Sequence, residues 1–300
     1  MVRRLVLAQI APKLGLVEEN AARHQAIVRE ARAAEADLVL FPELSLTGYL
    51  LKDLVSDVAL SEAELLDLFA GLGPGRPIEI AVGWLERSPG YQVYNALAHL
   101  RIGEDGGARL LHNHRKVNLP TYGMFEEERY FSSGKLVRAY DSPLLGRTGM
   151  LICEDMWHPA NPLLLSLDGP GLEGVNTILV GSNSPSRGTA EGGQEPANAA
   201  IWRLLARYTA LTANCLVAIC QRVGVEDGFV YVGGSEIIGP GGLPLARAPL
   251  FDEAILTCDV ELDSLIRERR MTLPGGALDD YDRLRRELER IGRRHLEDER

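Results

Sequence analysis

Two short apolar runs near the start of the chain constrain the fold most strongly. Val2–Ile10 and Asp37–Phe41 have the length and continuous apolar character of buried strands. Between them, Glu18–Ala34 has apolar residues at helical spacing. A strand, a helix and a strand in this order predict a right-handed crossover between two parallel strands. The chain is therefore expected to begin an α/β fold.

The alternation of strands and helices continues along the chain. Further helices are predicted at Leu54–Ala70, Pro162–Leu167, Pro196–Leu211 and Asp279–Arg300. Further strands are predicted at Ile78–Leu85, Tyr94–Arg101, Arg109–His112, Gly149–Ile152, Asn176–Val180, Cys215–Cys220, 229–232, 235–238, 245–247 and 254–260. Two strand-rich halves with helices outside predict a single α/β domain, a four-layer α-β-β-α sandwich.

Two segments fall outside this regular pattern. Lys116–Phe131 is polar and irregular, which predicts a long loop of the kind that often has a function. The last helix is strongly charged, with Leu284, Leu288 and Ile291 on one stripe, so it is expected to pack thinly or to meet another subunit. We expect the domain to span residues 1–262 and a C-terminal extension to span 263–300.

The composition excludes several classes of function. The net charge of −10 argues against a nucleic-acid partner, because such binders concentrate Lys and Arg on one face. The first apolar run is too short for a signal peptide and no later run approaches a membrane span, so a cytoplasmic protein without a membrane partner is expected. Four cysteines without a Cys-x-x-Cys pair or a histidine at metal-ligand spacing predict free thiols, with no metal or other cofactor.

Three chemically reactive side chains follow predicted strand ends. They are Glu43, Lys116 and Cys153, and side chains at the carboxyl ends of strands in α/β sheets converge on ligands. A carboxylate, an ammonium and a thiol together form a hydrolytic set, because a thiol needs a base or a cation to react near neutral pH. Taken singly, each residue has a simpler interpretation as a solvated loop acid, a surface lysine or a core cysteine.

The surroundings of these residues resemble a known family. Phe41–Tyr49, Arg115–Pro120 and Gly149–Asp155 are similar, in this order, to the three signature blocks of the nitrilase (carbon–nitrogen hydrolase) superfamily. Within it, Leu119–Phe131 and the run Glu154–Trp157 resemble the glutaminase domain of glutamine-dependent NAD synthetases. The resemblance covers the chain from the first strand to about residue 260. It implies an enzyme that hydrolyses a small amide, with glutamine favoured.

The resemblance also implies the catalytic roles. Glu43 would be the general base, Lys116 the oxyanion stabiliser and Cys153 the nucleophile. The family's second glutamate falls on Glu127, where it would orient Lys116 and the attacking water. Its register could shift by one within Glu126–Glu128.

The residues expected to line the substrate pocket come from three segments. They are Tyr122, Phe125, Glu154, Trp157, Ser184 and Arg187, of which Tyr122 and Ser184 match substrate-contacting positions of the resembled glutaminase domain. The chain departs from that pattern at Ala190, where the family has a basic residue. Either Arg187 replaces that residue or the substrate's carboxylate is held differently.

The resemblance leaves several functions open. Nothing in the sequence is similar to the phosphate loop of the synthetase domain, so we expect the amidase half alone, with ammonia passed to a separate synthetase partner or released from a free amide. The alternatives are an ω-amidase, an aliphatic amidase or an N-carbamoyl hydrolase, and, from a different class, a non-catalytic interaction subunit. Family members commonly pair, so a homodimer or a higher homo-oligomer is expected.

Overall fold

The computed structural model describes residues 2–188, 195–265, 267 and 277–298. Its strands are β1 (Val2–Gln9), β2 (Leu38–Leu40), β3 (Ile78–Arg87), β4 (Val93–Ile102), β5 (Ala108–Arg115), β6 (Tyr140–Ser142), β7 (Gly146–Ile152), β8 (Thr177–Ser182), β9 (Leu216–Gln221), β10 (Val223–Glu226), β11 (Phe229–Val232), β12 (Glu236–Ile238), β13 (Pro244–Arg247) and β14 (Ala254–Glu261). Its helices are α1 (Val17–Ala33), α2 (Val55–Val58), α3 (Glu62–Ala70), α4 (Glu127–Tyr130), α5 (Ala160–Leu167), α6 (Ala197–Thr212) and α7 (Ala277–Asp298).

These strands form two six-stranded sheets and a small hairpin. The first sheet has the order β14-β1-β2-β3-β4-β5, the second β13-β12-β9-β8-β7-β6, and β10 pairs with β11. β1 and β2 run parallel, with Leu5 opposite Leu38, as the crossover rule predicts. β14 returns from the second half of the chain to the edge of the first sheet, antiparallel to β1.

The apolar side chains divide into layers. Leu7 and Leu40 of the first sheet pack against Ile152 and Leu179 of the second, in a core between the sheets. A second core joins the outer face of the first sheet to α1 and α3, and a third joins the second sheet to α5 and α6. The predicted four-layer α-β-β-α sandwich is confirmed.

The single helix predicted over Leu54–Ala70 is wrong. The structure has a 3₁₀ turn at Lys52–Leu54, then α2, and then α3, which begins after Ser61. A new helix begins at this point because the side chains of Ser61 and Glu64 form a capping box. Just before it, the Leu60 N–H donates to the Leu85 carbonyl at 2.9 Å, so this segment is extended beside β3. Tertiary pairing overrides the helical periodicity here.

Three smaller differences concern short elements. The loop predicted over Lys116–Phe131 contains the single helical turn α4, and the short strands β6 and β10 were not predicted. β5 continues beyond the predicted His112 to Arg115, so it leads directly into Lys116. Segments of three or four residues carry too little periodicity to be recognised from the sequence alone.

The C-terminal helix is confirmed as α7, although residues 299–300 of the prediction lie outside the described residues. Leu288 and Ile291 of its predicted stripe are exposed. In the part of the chain that the structure describes, no helix has the length and apolar character needed to cross a bilayer.

Candidate active site

Glu43, Lys116 and Cys153 lie together at one end of the two sheets. Glu43 follows β2, Lys116 follows β5 and Cys153 follows β7. β2 and β5 run in the same direction, because β2 is parallel to β3 and β4 is antiparallel to both β3 and β5. β7 is parallel to β8, and a Cβ on Gly181 near the end of β8 would lie 3.0 Å from the Glu43 backbone nitrogen, so these strand ends of the two sheets meet. The site is therefore built from rigid strand ends of both sheets.

Glu43 is held by hydrogen bonds to both of its carboxylate oxygens. Oε1 accepts a bond of 2.8 Å from the Asn95 side chain, and Oε2 accepts one of 2.8 Å from the Asn183 N–H. The loop that carries Glu43 crosses directly over β3, where a Cβ on Gly83 would lie 2.2 Å from the Pro42 carbonyl oxygen. Glycine at this position is what lets the loop lie directly against the strand.

Lys116 is a buried cation between two carboxylates. Its Nζ donates to Glu43 Oε1 and to Glu127 Oε1, each at 2.7 Å, and its side chain is 1% exposed. The backbone is fixed as well, since the Gly134 N–H donates to the Lys116 carbonyl at 2.8 Å. A Cβ on Gly134 would lie 2.2 Å from the Arg115 carbonyl oxygen, so only glycine permits this approach.

Glu127 occupies the first position of α4 and points inward. Its neighbours Glu126 and Glu128 are exposed, so the structure brings Glu127, and neither neighbour, against Lys116. The Tyr49 hydroxyl donates to the same Oε1 at 2.5 Å. Glu127 Oε2 is buried and has no hydrogen-bond partner within the described chain. One carboxylate oxygen is thus fixed and the other is free to meet a ligand.

Cys153 lies at a tight turn directly after β7. Its φ is +43°, a left-handed conformation that few non-glycine residues adopt and that is found at functional sites. Its Sγ lies 3.9 Å from the Asn183 carbonyl oxygen. Burial and the nearby Glu43 carboxylate raise the pKa of the thiol, and Lys116 opposes this increase. The resting thiol is therefore protonated and needs a base before it can attack.

Asp155 ties the lysine loop to the cysteine turn. It is buried, and its carboxylate accepts hydrogen bonds from the N–H groups of Val117, Asn118 and Ile152 and from the His114 ring at 2.9 Å. All of these partners lie within two residues of Lys116 or Cys153. Asp155 is therefore a support that fixes the lysine loop and the cysteine turn relative to each other.

Four of the predicted pocket residues form one cluster above the buried groups. The Tyr122 hydroxyl donates to Glu154 at 3.0 Å. The Arg187 guanidinium lies over the Phe125 ring, with 5.0 Å from Cζ to the ring centroid, and it interacts with the Tyr122 hydroxyl. Tyr122 and Arg187 are exposed, whereas Phe125 is buried. The cluster therefore presents an anion and a cation at an accessible rim.

The other two predicted pocket residues lie on the side facing α6. The Ser184 hydroxyl accepts hydrogen bonds of 2.9 Å from the Asn198 amide and from the Trp202 ring N–H. Trp157 packs edge to face on Trp202, with ring centroids 5.7 Å apart. Both lone pairs of Ser184 are used, so its own O–H remains free to donate. Ala190, the position of the missing basic residue, lies outside the described residues.

Sequence analysis assigned no role to three residues that contact the candidate catalytic groups. Tyr49 binds Glu127, and Asn95 and Asn183 bind Glu43. Asn95 interrupts an otherwise mostly apolar strand, and a buried polar residue in such a strand is a usable signal. Asn183 directly precedes Ser184 at the end of β8, and its contact with Glu43 spans 140 residues of sequence, which no local pattern reveals.

The remaining cysteines are separate from this centre. Cys215 and Cys220 are buried and Cys258 is half-buried, and within the described chain none of them forms a disulfide bond. Within residues 2–188, 195–265, 267 and 277–298, no group of three or more His, Cys, Asp or Glu side chains is arranged to hold a metal ion.

Comparison with known sequences gives one family across most of the chain. Residues 4–270 match the carbon-nitrogen hydrolase family. The glutamine-dependent NAD(+) synthetase of Thermotoga maritima is 31% identical over 267 residues, which cover 88% of this chain and 43% of that protein. The synthetase of Xanthomonas campestris pv. campestris is 33% identical over 285 residues, covering 93% and 47%. The chain thus spans about half the length of these curated relatives.

Comparison with solved structures agrees. A glutamine-dependent NAD+ synthetase from Acinetobacter baumannii, in complex with adenosine diphosphate, is similar with a TM-score of 0.74 and 27% identity, covering 88% of this chain and 47% of that chain. A carbon-nitrogen hydrolase from Helicobacter pylori G27 is similar with a TM-score of 0.78 and 21% identity, covering 95% and 98%. At the latter identity the likeness shows the fold.

Proposed function

The chain belongs to the carbon-nitrogen hydrolase family, and from this premise we propose that it is a glutamine amidohydrolase that works through a Cys153 thioester. The observation that carries this proposal is the buried Lys116 ammonium, which binds Glu43 and Glu127 at 2.7 Å beside the strained Cys153 turn. A carboxylate base, a cation and a thiol in one buried cluster are suited to nucleophilic attack on an amide.

The acylation step follows from the protonated thiol. Glu43 takes the Cys153 proton as the sulfur attacks the carbonyl carbon, so no free thiolate is needed in advance. The oxyanion that forms is stabilised by the Lys116 ammonium and the Glu154 backbone N–H. The carbon–nitrogen bond then breaks, and Glu43 gives its proton to the departing ammonia.

The deacylation step uses the same base. Glu43 takes a proton from water as the water oxygen attacks the thioester carbon, the carbon–sulfur bond breaks, and the sulfur recovers the proton. The Oε2 atom of Glu127 supports a role in orienting that water, because Tyr49 and Lys116 both bind Oε1 and Oε2 has no hydrogen-bond partner within the described chain. Glutamate is the product, with ammonia released in the first step.

The choice of glutamine rests on the cluster at the rim. Glutamine carries an α-ammonium and an α-carboxylate at the end remote from its amide. The Glu154 carboxylate is positioned for the ammonium, and the exposed Arg187 guanidinium is positioned for the carboxylate, with Tyr122 between them. Arg187 would then replace the basic residue that the resembled glutaminase domain has at the position of Ala190.

This assignment predicts the effect of Arg187→Gln. The variant should raise the KM for glutamine by about 10- to 100-fold, because a charged hydrogen bond contributes about 1.5–3 kcal/mol. Turnover of a simple aliphatic amide, which has no carboxylate, should not change. The measurement is the steady-state rate of ammonia release with each of the two substrates. Arg138→Gln, at an exposed arginine, is the control. Equal losses on the two substrates would show that Arg187 does not bind the carboxylate.

The buried cluster also predicts a dependence on pH. Burial and the neighbouring Glu43 raise the pKa of Glu127 from 4.5 to about 7, against the opposing effect of Lys116. The cluster therefore gains a proton as the pH falls below about 7, and kcat/KM should fall with it. In Glu127→Gln this acid limb should be lost, because the group that gains a proton near pH 7 is removed.

The same shift affects stability. A folded-state pKa above the ordinary value contributes stability that is fully present below about pH 4.5 and is lost as the pH rises through about 7. Glu127→Gln should abolish this loss of stability at higher pH, and Tm measured as a function of pH tests this expectation. Glu128→Gln, at an exposed neighbour, is the control. An unchanged acid limb and an unchanged Tm profile in Glu127→Gln would contradict the assignment.

Another linear amidase is the second candidate, whether ω-amidase, aliphatic amidase or N-carbamoyl hydrolase. It is favoured by Ala190, which stands where the resembled glutaminase domain has a basic residue. Ammonia release across a panel of glutamine, ω-amides, aliphatic amides and N-carbamoyl compounds separates the two. The highest kcat/KM for glutamine supports the first proposal, and a higher value for another class replaces it.

We also propose that the protein forms homo-oligomers and delivers ammonia to a separate synthetase-type partner. The outer faces of α5 and α6 support association, since they expose the apolar residues Leu163, Leu164, Ile201, Leu204, Tyr208 and Leu211. The proposed C-terminal extension, with Leu288 and Ile291 exposed on α7, offers a second surface. Light scattering at several protein concentrations tests the oligomer.

A further inference from the structure

Tyr231 is a buried tyrosine with no evident structural use for its hydroxyl. The residue is 0% exposed, and its hydroxyl has no hydrogen-bond partner among the residues that the structure describes. Leaving a buried hydroxyl without a partner is unfavourable by about 1–3 kcal/mol. Phenylalanine would fill the same space without this penalty. A hydroxyl kept under these conditions is expected to meet a ligand that the free protein lacks.

The location of Tyr231 points to the proposed substrate. β11 pairs with the loop that carries the substrate-pocket residues, as the Ser186 N–H donates to the Val230 carbonyl at 2.6 Å. Pro185 forms the bridge directly opposite Tyr231, so the two side chains lie on the same face. Tyr231 is therefore next to the segment that follows β8 into the site.

The ring is held firmly in this position. The Arg222 guanidinium lies over it, with 4.3 Å from Cζ to the ring centroid. Arg222 is itself buried and forms an ion pair of 2.7 Å with Glu226. Glu226 in turn accepts hydrogen bonds from the N–H groups of Tyr49 and Leu50, so this support is joined to the residue that binds Glu127.

The bridge opposite Tyr231 lies two residues after Asn183, which contacts two of the proposed catalytic groups. The Asn183 N–H donates to Glu43 at 2.8 Å, and its carbonyl oxygen lies 3.9 Å from the Cys153 Sγ. Burial raises the pKa of Tyr231, Arg222 opposes this, and the negative charges of Glu226 and Glu43 raise it further. The phenol is thus neutral throughout the working pH range. A neutral hydroxyl can both accept and donate, which suits a position that is occupied first by an N–H group and then by water.

We propose that the Tyr231 hydroxyl holds the departing ammonia and then the hydrolytic water beside Glu43, between the base and the Cys153 thioester. This inference rests on the proposed thioester function. The hydroxyl accepts a hydrogen bond from the leaving nitrogen, and after ammonia departs it binds the water. That water gives one proton to Glu43 as its oxygen attacks, and the sulfur regains the proton when the carbon–sulfur bond breaks. Tyr231 exchanges no proton itself.

The test is the fate of the acyl-enzyme in Tyr231→Phe. Hydroxylamine attacks a thioester to give a hydroxamate and the free thiol, and as a stronger nucleophile it depends less on a positioned base than water does. With glutamine as substrate, the ratio of hydroxamate to glutamate should rise by about 3- to 10-fold, the effect of one lost hydrogen bond. The rate of glutamate formation should fall by the same factor, and Tm should not decrease.

The control variant is Tyr94→Phe, which removes a hydroxyl that donates to Gln92 away from the site. An unchanged product ratio in Tyr231→Phe would overturn the proposal, and so would a lower Tm or a failure to fold, because either would show that the hydroxyl has a structural partner. If the unmodified protein releases ammonia from no amide, the proposed function fails first and this inference with it. Turnover in the unmodified protein with an unchanged ratio in the variant rejects the Tyr231 role alone.

Discussion

Cys153→Ala is expected to abolish ammonia release and to leave the fold intact. Removing the nucleophile of a covalent mechanism lowers kcat by on the order of 10⁴-fold or more. The fold should survive because the polar contact of Sγ with the Asn183 carbonyl oxygen is long, at 3.9 Å, and alanine keeps the Cβ at this position. Activity is measured by coupled ammonia detection, and folding by Tm and circular dichroism.

The matched control for this variant is Cys258→Ala, which removes a thiol on the outer strand β14. It should retain full activity. Substantial turnover by Cys153→Ala would mean that another group attacks the amide. A loss of activity accompanied by unfolding would leave the nucleophile role unsupported, and Cys153→Ser, which keeps a nearly isosteric side chain, then separates the two effects.

Lys116→Arg should lower kcat by about 100- to 1,000-fold, the typical effect of losing one oxyanion donor. The Lys116 side chain is 1% exposed and its Nζ lies 2.7 Å from each of two carboxylates, so the space fits a compact ammonium. The larger planar guanidinium would pair with the carboxylates at the expense of the oxyanion position. Overpacking should also lower the free energy of unfolding by about 1–3 kcal/mol.

Lys135→Arg makes the same substitution at an exposed lysine and should have no effect. Steady-state kinetics of both variants, with Tm as the stability measure, give the comparison. Near-normal kcat in Lys116→Arg would show that a point charge at this site is not needed, and the proposed oxyanion role would be wrong.

Much of the fold could be predicted because its strongest elements are local. β1, α1 and β2 follow from periodicity and the handedness of crossovers, and the strands predicted at Tyr94–Arg101 and Arg109–His112 correspond to the antiparallel pair β4 and β5. The break inside Leu54–Ala70 was missed because it depends on pairing between Leu60 and β3. Nothing in the local sequence reports such a long-range contact.

The residues of the site likewise divide into those that the local sequence indicates and those that it does not. Glu43, Lys116 and Cys153 were identifiable because each follows a strand end within a recognisable block of sequence. The groups that hold them were not, since Asn95, Asn183 and Tyr49 reach the cluster across 52, 140 and 78 residues of sequence. Their contacts exist only once the two sheets are stacked. Tyr231 likewise could not be singled out from the sequence.

The most direct test of the central claim is the covalent labelling of Cys153 by a diazo-ketone analogue of glutamine, followed by peptide mapping with mass spectrometry. The thioester mechanism predicts one adduct per chain, on the peptide that contains Cys153, with protection by excess glutamine. The half-buried Cys258 serves as an internal control and should stay unmodified. No adduct, or an adduct on Cys258 without one on Cys153, would contradict the account.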